Sequence, residues 1–540
     1  MKVTPASLMK LARSRPDRRT TLKDIMTRSV AKKIGNYLNG AQTLANLPIE
    51  LRESVLLEFV QVTSGSSLGG SQDFMARLEQ AVSQLTSART KKFKFGGLLS
   101  SRNYVTMPQD ITKVLEILSA KAKNLELLKI NVVKRKVHAL CPMLESKSIE
   151  AICKLEKLRI LKISNFVIQY QKLKSICKVL INLRSVNVRF ISFDRDMEPE
   201  DLDADIEDLK LSFSRLKEFL FSSLYSENPL IQTLATLCVQ HLPQLEIVND
   251  FAESVTFFSN LESTEGVKDS DLCHLGVYPT HTSDLSAVFP KVTHLKVLLL
   301  GDEPEENINS ILHFSNIESL NFHSLPSVSV LDRFFGAYGA NLLTLILSCD
   351  WQSLSFSSIF AACPKLQVLK LDDVVISDDR EPIKEFAQLT ELKWTLRKCD
   401  GLVPKSKVCN ILSALPNLKK LSLSDWTDLE IDDLKKLTAL IAGKKILSEL
   451  TRLDLESKTE LEDSAIDVEL FRAFVDLIAN AAAYLQMLAV FRLNLCYMKC
   501  KIAQHLKSKQ PLQIGEIGEK FQDWIGDNSI ADFIRVINRC

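Results

Sequence analysis

Histidine and cysteine are two residue types in this chain whose spacing could reveal a metal site or a nucleophile. Its 540 residues include eight histidines and twelve cysteines. No two histidines have the H-x-x-x-H spacing of a helical metal site, and no two cysteines form a C-x-x-C pair. Phosphate-binding P-loop and G-x-G-x-x-G phrases are missing as well. We therefore predict no catalytic residue, no metal site and no cofactor, and we do not expect an enzyme.

The pattern of the N-terminal segment indicates binding to another protein. Leu22, Met26 and Val30 are four residues apart, and Ile34 continues the series. This spacing places apolar side chains on one face of a helix. Thr20 or Thr21 is suited to cap the start of that helix. The sequence predicts an amphipathic helix here that buries an apolar stripe against a partner or against the rest of the chain.

A second apolar segment begins with Leu47 and Pro48 and continues through Leu51 and Val55. Proline is favoured in the first turn of a helix, where its missing N–H is not needed. Residues 63–71 are rich in serine and glycine and are predicted to be a flexible linker. A third helix is expected from residue 72 to residue 85, and it leads into a capping strand near Phe93 and Phe95.

After the N-terminal segment, a repeated phrase predicts the strands and helices of the chain. The phrase is L-x-x-Φ-x-Φ, in which Φ is apolar. The last two Φ positions point to one face of a short strand, and helical spacing follows between copies. Long intervals indicate insertions, most clearly the acidic residues 194–208. The phrase occurs fourteen times, 22 to 35 residues apart, with its middle residue at Leu128, Leu161, Val186, Phe219, Val248, Leu275, Leu298, Leu320, Leu345, Leu369, Leu392, Leu421, Leu453 and Leu488.

The repeated phrase resembles that of the leucine-rich repeat family. The resemblance implies an α/β fold, a leucine-rich repeat solenoid (horseshoe) with an α-helical N-terminal domain. The domains predicted are an adaptor-binding helical segment at 1–62, the linker at 63–71, an N-terminal cap at 72–110, repeats at 111–498 and a C-terminal cap at 499–540. In a solenoid each repeat buries its apolar face only by stacking on its neighbours.

The N-terminal segment resembles the box through which substrate receptors of cullin-RING ubiquitin ligases bind elongin B/C and a cullin. The elongin motif is matched by Thr21, Leu22 and Val30, with Met26 where the family has cysteine. Leu47, Pro48, Leu51 and Val55 match the motif that binds the cullin. The resemblance implies helix-in-groove docking on elongin C, with Leu22 as the anchor.

Two alternatives remain open for these helices. The phrase from Leu47 to Leu51 also resembles the start of an F-box, which binds the Skp adaptor of a sister class of ligases. The helices are otherwise only the terminal cap that a solenoid needs, and the chain is then a repeat scaffold with no ligase partner. The accessibility of Leu22 and Met26 distinguishes the cap from the docking helix.

The surface that binds a target protein is predicted on the concave strand face. Residues next to the Φ positions face solvent there, and the middle strands offer several that are apolar. A patch of this kind with a polar rim is typical of protein–protein interfaces. The residues predicted are Leu220, Tyr278, Leu299, His323 and Ile346. The target itself is unknown.

Composition limits the classes of partner and the compartment. The net charge of +2 indicates no general affinity for nucleic acid or membrane, and no stretch approaches the ~20 apolar residues that cross a bilayer. The cysteines are scattered, and no cluster flanks the repeats, so we expect small buried side chains rather than disulfides. A cytoplasmic or nuclear location is expected.

Overall fold

The computed structural model of this chain divides into two compact units, Met1–His274 and Leu275–Cys540. The predicted C-terminal cap and residues 64–71 of the predicted linker lie outside the described residues. The structure describes residues 22–32, 34–38, 44–63, 73–95, 106–131, 141–194, 196–222, 228–248, 270–277, 285–299, 308–323, 327–348, 353–372, 374–376, 383–395, 408–424, 431–457, 473, 477, 480–481, 485 and 490–495.

Short helices open the first unit, as the sequence predicts. Helix α3 begins directly after Pro48, whose carbonyl accepts hydrogen bonds from the N–H groups of Leu51 and Arg52 at 2.9 and 3.0 Å. Proline thus takes part in the first turn without needing a donor. The elements are α1 (Leu22–Lys32), α2 (Ile34–Leu38), a 3-10 turn (Leu44–Asn46), α3 (Ile49–Thr63) and α4 (Asp73–Leu85).

Six strands of the described first unit form one parallel sheet in which each pairs with the next along the chain. The repeated phrase sets the register, because Leu128, Leu161, Val186 and Phe219 lie side by side and are all fully buried. The predicted capping strand is confirmed as the first of the six. The strands are β1 (Lys92–Lys94), β2 (Leu127–Asn131), β3 (Ile160–Gln169), β4 (Ser185–Ser192), β5 (Glu218–Phe221) and β6 (Ile247–Val248).

Helices connect these parallel strands, and their sequences carry recognisable start signals. Proline lies in the first turn of three of them, and Asn228 accepts a hydrogen bond from the N–H of Leu230 at 3.0 Å, which caps one helix start. The helices are α5 (Met107–Lys121), α6 (Ser146–Cys153), α7 (Tyr170–Val179), α8 (Pro199–Ala204), α9 (Ile206–Phe213) and α10 (Pro229–His241).

The second unit repeats the arrangement with a larger parallel sheet. Its order is β7-β8-β9-β10-β12-β14-β15-β16-β17, and β11 pairs separately with β13. The strands are β7 (His274–Val277), β8 (His294–Leu298), β9 (Ser319–His323), β10 (Thr344–Ser348), β11 (Ser353–Leu354), β12 (Val368–Asp372), β13 (Val375–Ile376), β14 (Glu391–Thr395), β15 (Lys420–Ser424), β16 (Arg452–Ser457) and β17 (Val490–Leu495).

Helices again separate the strands of the second unit. Ser327 and Ser355 accept hydrogen bonds from the N–H groups of Val330 and Ser358 at 3.3 and 3.2 Å, and so cap two of them. The helices are α11 (Leu285–Val288), α12 (Val328–Tyr338), a 3-10 turn (Gly339–Asn341), α13 (Phe356–Ala362), α14 (Val408–Ser413) and α15 (Ile431–Ala442).

For two copies of the repeated phrase, the strand register predicted from the sequence is wrong. Leu295, not Leu298, pairs with Leu320, so the strand positions of that copy are Leu295 and Val297. In the last copy, Phe491 rather than Leu488 pairs with Leu453. Both errors are shifts of three residues, because long apolar runs satisfy the phrase in two frames. The other strand pairings follow the predicted middle residues.

The described chain is therefore a mixed α/β protein built on parallel sheets with intervening helices. Alternate strand residues are buried beneath the helices, and the burial is nearly complete along the repeated apolar positions. None of the described helices is both long and apolar enough to span a bilayer.

Candidate functional site

Helix α1 has one buried face and one accessible face. Thr27 and Ala31 are buried, and α1 packs against α3. Met26 lies on the other side with 51% of its surface exposed, and Val30, one turn later, is partly exposed. An exposed methionine on a short packed helix leaves apolar surface that the fold itself does not use.

Leu22 is the first residue of α1 and stands one helical turn before Met26. Residues four apart share a helix face. Its side chain lies outside the described residues. Ile34, which continues the series in sequence, belongs to α2 and is buried, so the predicted stripe is divided between the two helices.

The residues predicted to bind a cullin lie at the start of α3. Pro48 is exposed, and Leu47 and Leu51 are partly exposed. Val55 is only 1% exposed, so its assignment as a contact residue is wrong. It lies one turn deeper into α3, on the side that packs into the core of the N-terminal helices. Of the four residues predicted here, the accessible ones therefore lie just before the helix and in its first turn.

Ion pairs and hydrogen bonds hold these helices onto the rest of the first unit. Arg28 on α1 is 3.6 Å from Glu58 on α3, measured from Nε to Oε1. Gln80 of α4 donates a hydrogen bond to the carbonyl of Leu38 at 3.0 Å, and Gln84 accepts one from the N–H of Leu44 at 3.1 Å. The inner surface of the helices is thus packed against and hydrogen-bonded to the rest of the first unit, while the Met26 side of α1 stays accessible.

The residues predicted for the strand face are only partly placed there. Leu220 on β5 and Ile346 on β10 are both partly exposed, in the first and second unit respectively. Leu299 is 1% exposed, so its prediction as a solvent-facing residue is wrong. The frame shift of its repeat explains the error, because Leu299 follows the strand instead of lying on its open face. Tyr278 and the side chain of His323 lie outside the described residues.

A row of lysines lies on neighbouring strands of the first sheet. Lys129 and Lys162 mark a mildly basic start of the array in sequence, and the structure adds Lys94. The backbone register places Lys94 beside Lys129 and Lys129 beside Lys162. The signal was available in the alternation of Lys92, Phe93 and Lys94, which places Phe93 in the core and both lysines at the surface.

The cysteines are chemically quiet within the described chain. Cys177 and Cys238 are buried, and burial raises the pKa of both thiols. Burial also raises the pKa of Cys363 to about 12 and of Cys409 to about 11. A thiol with a raised pKa forms little of the reactive thiolate. The prediction that these cysteines act as small buried side chains is confirmed for these four, whereas Cys153 is partly exposed.

The described residues form neither a metal site nor a nucleophile elbow. No cluster of three or more histidine, cysteine or carboxylate side chains in the described part of the chain is arranged to hold a metal ion. The phrase from Gly65 to Gly69 has the G-x-S-x-G spacing of a nucleophile elbow, and it lies outside the described residues. A nucleophile elbow joins a strand to a helix, whereas this segment follows α3 and precedes α4.

Comparisons with known proteins give partial likenesses. No protein-family model matches the chain, and no curated protein matches it in sequence. A chain from the complex of Rad7 and Elc1 in yeast is similar over 83% of this chain and 97% of its own length, with 15% identity and a TM-score of 0.37. An internalin (inlF) from Listeria monocytogenes is similar over 63% of this chain and 82% of its own length, with 15% identity and a TM-score of 0.31. Neither likeness transfers residues or partners to this chain.

Proposed function

We propose that this protein is a non-catalytic leucine-rich repeat subunit that recognises substrates for a cullin-RING ubiquitin ligase. Helices α1 and α3 dock on elongin C and a cullin, and the two strand-bearing units hold the target protein. The observation that carries the proposal is the accessible apolar side of α1, with Met26 51% exposed in the middle of the elongin-box phrase.

Physical chemistry favours a helix-in-groove contact at this surface. An amphipathic helix binds by inserting side chains spaced at i, i+4 and i+8 into an apolar groove. Burying a methionine side chain contributes ~1.5–3 kcal/mol. Methionine is unbranched and flexible, so it adapts to a pocket that accepts cysteine in the family. Leu22, Met26 and Val30 have the spacing that such a groove requires.

The first turn of α3 supplies a second contact region. Pro48 is exposed, and Leu47 and Leu51 are partly exposed. These residues open the phrase that resembles the cullin-binding motif. Because α1 and α3 pack together and are joined by the pair of Arg28 and Glu58, a partner that engages both regions meets one preformed surface.

A receptor of this kind contributes proximity and no chemistry. It holds the target close to the ubiquitin-bearing partner, and the reaction takes place on other subunits. Leu220 and Ile346 are the residues of the two sheets that we assign to target binding. Cytosol or nucleus is the proposed location, because the ubiquitin machinery operates there.

Co-purification with recombinant elongin B–elongin C tests the proposal. We expect the wild type to be captured and Met26→Asp and Leu22→Asp to weaken capture at least tenfold, as for a buried hot-spot residue. Leu211→Asp is the matched control: Leu211 is 61% exposed on α9, away from the docking helices, and it introduces the same charge.

The same experiment separates the alternatives. Capture by the Skp adaptor, tested in parallel, would keep a ligase role and replace the elongin assignment with the F-box one. Capture by neither adaptor, with all variants folded by circular dichroism, would reject the ligase proposal and leave a repeat scaffold with a helical cap. Equal loss for Leu211→Asp and Met26→Asp would reject a specific site on α1.

A further inference from the structure

A cavity of about 560 Å³ lies at the edge of the first sheet where strands β1 to β4 begin. The residues that line it are all of polar or charged type, with their aliphatic stems forming part of the wall, and positive charge dominates. The lining residues are Arg89, Lys91, Asn124, Glu126, Lys157, Arg159, Asn182 and Arg184. None of them belongs to the surface of α1 and α3 discussed above, so this site is independent of the proposed adaptor contact.

The repeat itself generates this cavity. A variant copy, with threonine in place of leucine, precedes the fourteen copies and covers Thr90 to Phe95. This copy and the next three open with residues that are at most 1% exposed: Thr90, Leu125, Leu158 and Leu183. The lining consists of the residues immediately before and after each of these four. Since the strands pair in register, the flanking residues of successive copies form two aligned rows. Four consecutive repeats thus contribute two side chains each.

The charges in these rows are poorly balanced. Five of the eight side chains are cationic and one, Glu126, is acidic. Glu126 pairs with Lys91, from which it is 3.0 Å distant. Arg184 donates to the carbonyls of Ile181 and Leu183 at 3.1 and 3.0 Å, which fixes its guanidinium but adds no negative charge.

The two asparagines fix the shape of the cavity. Asn124 donates a hydrogen bond to the carbonyl of Ala88 at 2.8 Å, and Asn182 donates to that of Glu156 at 2.9 Å. Each bond crosses from one repeat to the one before it. The loops that carry the cations are therefore held together by the backbone, and a ligand would meet a preformed arrangement.

The excess of positive charge along this edge ends at the fifth repeat, which precedes β5 of the same sheet. Lys217 follows the buried opening residue Leu216, and it is 3.3 Å from Glu246 and 3.2 Å from Asp271. The later repeats of this unit thus supply two carboxylates to one cation of the row, whereas the first four supply one carboxylate, Glu126, to five cations. Positive charge at this edge is a property of particular repeats and is not required by the fold.

Unbalanced like charges on adjacent strands are unfavourable. Neighbouring strands are ~4.8 Å apart, and like charges in register destabilise a sheet. An anion bound between the rows would remove this repulsion. From this we infer that the cavity is a binding site for a compact anion that carries several phosphate groups.

The chemistry and the size of the cavity support this ligand class. Arg89, Arg159 and Arg184 provide guanidinium groups, whose planar fork matches phosphate oxygens, and Lys157 adds a point charge. A volume of about 560 Å³ lies within the usual range of small-molecule sites, ~300–1,000 Å³. The chain's small net charge of +2 makes a long nucleic acid a poor match, because the positive charge is confined to this edge.

Calorimetric titration of the full chain with inorganic tripolyphosphate in 0.15 M NaCl tests the inference. We expect a Kd of about 0.1 mM or tighter for the wild type. The double variant Lys157→Glu/Arg159→Glu should bind at least tenfold more weakly. Both side chains are exposed, so the substitutions leave the core intact. The matched control is Lys435→Glu/Lys436→Glu on α15, which makes the same change in net charge on an exposed helix of the second unit.

The outcomes that would overturn the inference are specific. Absence of binding by the wild type at 1 mM tripolyphosphate would reject the site. An equal loss in both double variants would show that net charge and not the cavity governs binding. If the cavity variant is poorly folded by circular dichroism, Arg159→Gln replaces it, with a smaller loss expected and an unchanged Kd rejecting the site. Capture by elongin B–elongin C should be unaffected by these substitutions.

Discussion

A buried lysine in the first unit offers a sharp test of how the helices are held together. The side chain of Lys174 on α7 is 5% exposed. Its ammonium contacts Asp205, and it lies 2.9 Å from Asp208. Burial alone would lower the pKa of Lys174, but the hydrogen bonds to the two carboxylates outweigh it, and the net effect is a raised pKa. The lysine is therefore charged and joins α7 to the start of α9.

The substitution Lys174→Met removes this charge and keeps an unbranched side chain that is one heavy atom shorter. Removal of one partner from a fully buried ion pair costs ~3–5 kcal/mol. Here Asp205 and Asp208 are 29% and 31% exposed, and Asp208 retains Lys178, so water and a second cation compensate in part. We expect a loss of about 2–3 kcal/mol in the free energy of opening α7, after this discount.

Thiol labelling resolved by mass spectrometry measures the opening free energy locally. Cys177 lies on α7, three residues from Lys174, and it is buried. Because a tenfold change corresponds to 1.4 kcal/mol, its labelling rate should rise roughly 30- to 140-fold in Lys174→Met. Cys363 and Cys409 belong to the second unit and serve as internal references, with unchanged rates expected.

The matched control is Lys210→Met. Lys210 pairs with Glu207 at 2.8 Å on the surface of α9, where Glu207 is 88% exposed. Water and salt screen an exposed pair of this kind, so its contribution is small and Cys177 should be labelled at nearly the wild-type rate. A change below threefold in Lys174→Met, or an equal rise at Cys363, would refute the local coupling that we assign to Lys174.

Three further outcomes are expected. Hydrogen bonds from Lys178 and Lys174 lower the pKa of Asp208 in the folded protein. The stability that Asp208 contributes is therefore complete above its unfolded pKa of ~3.9 and is lost as pH falls through the lower folded pKa. In urea denaturation, the stability difference between wild type and Lys174→Met should shrink from pH 7 to pH 3. Gly339→Ala would place a Cβ 2.4 Å from the carbonyl oxygen of Ala362 and should lower the Tm, whereas Gly336→Ala in α12 meets no atom within 4 Å and should stabilise by ~0.5–1 kcal/mol. Asn228→Ala removes the cap of α10 and should cost ~1 kcal/mol, measured by urea denaturation followed by circular dichroism.

The parallel strands were largely predictable because one signal repeats. Each copy of the phrase carries apolar residues two apart, and stacking forces equivalent copies into register. The same signal failed where apolar residues run together. Around Leu298 a leucine stands at four of the six positions from Leu295 to Leu300, so the spacing alone could not select the frame. The selection is made by pairing with the neighbouring strand, in which Leu295 meets Leu320.

The acidic residues 194–208 show a second limit of prediction from sequence. Their composition predicts an insertion, and the structure forms α8 and the start of α9 from this stretch. Asp205 and Asp208 meet Lys174 and Lys178, about thirty residues earlier in the chain. Nothing in either segment alone identifies the partner, because the match depends on the register between two packed helices. Long-range charge pairing of this kind follows from the fold and not from local pattern.

Capping of the repeats and docking of a partner would use different sides of the N-terminal helix α1. Capping requires only the inner side of α1, where Thr27 and Ala31 are buried. A helix that served as a cap alone would be expected to carry polar residues on its outer side, since a terminal cap must remain soluble. Arg28 and Ser29 meet this expectation, but Met26, which is half exposed, does not. Met26 is thus an exposed apolar side chain that capping does not explain, and it lies inside the phrase that resembles an elongin box. This coincidence of exposure and motif is the physical reason for proposing α1 as the adaptor contact.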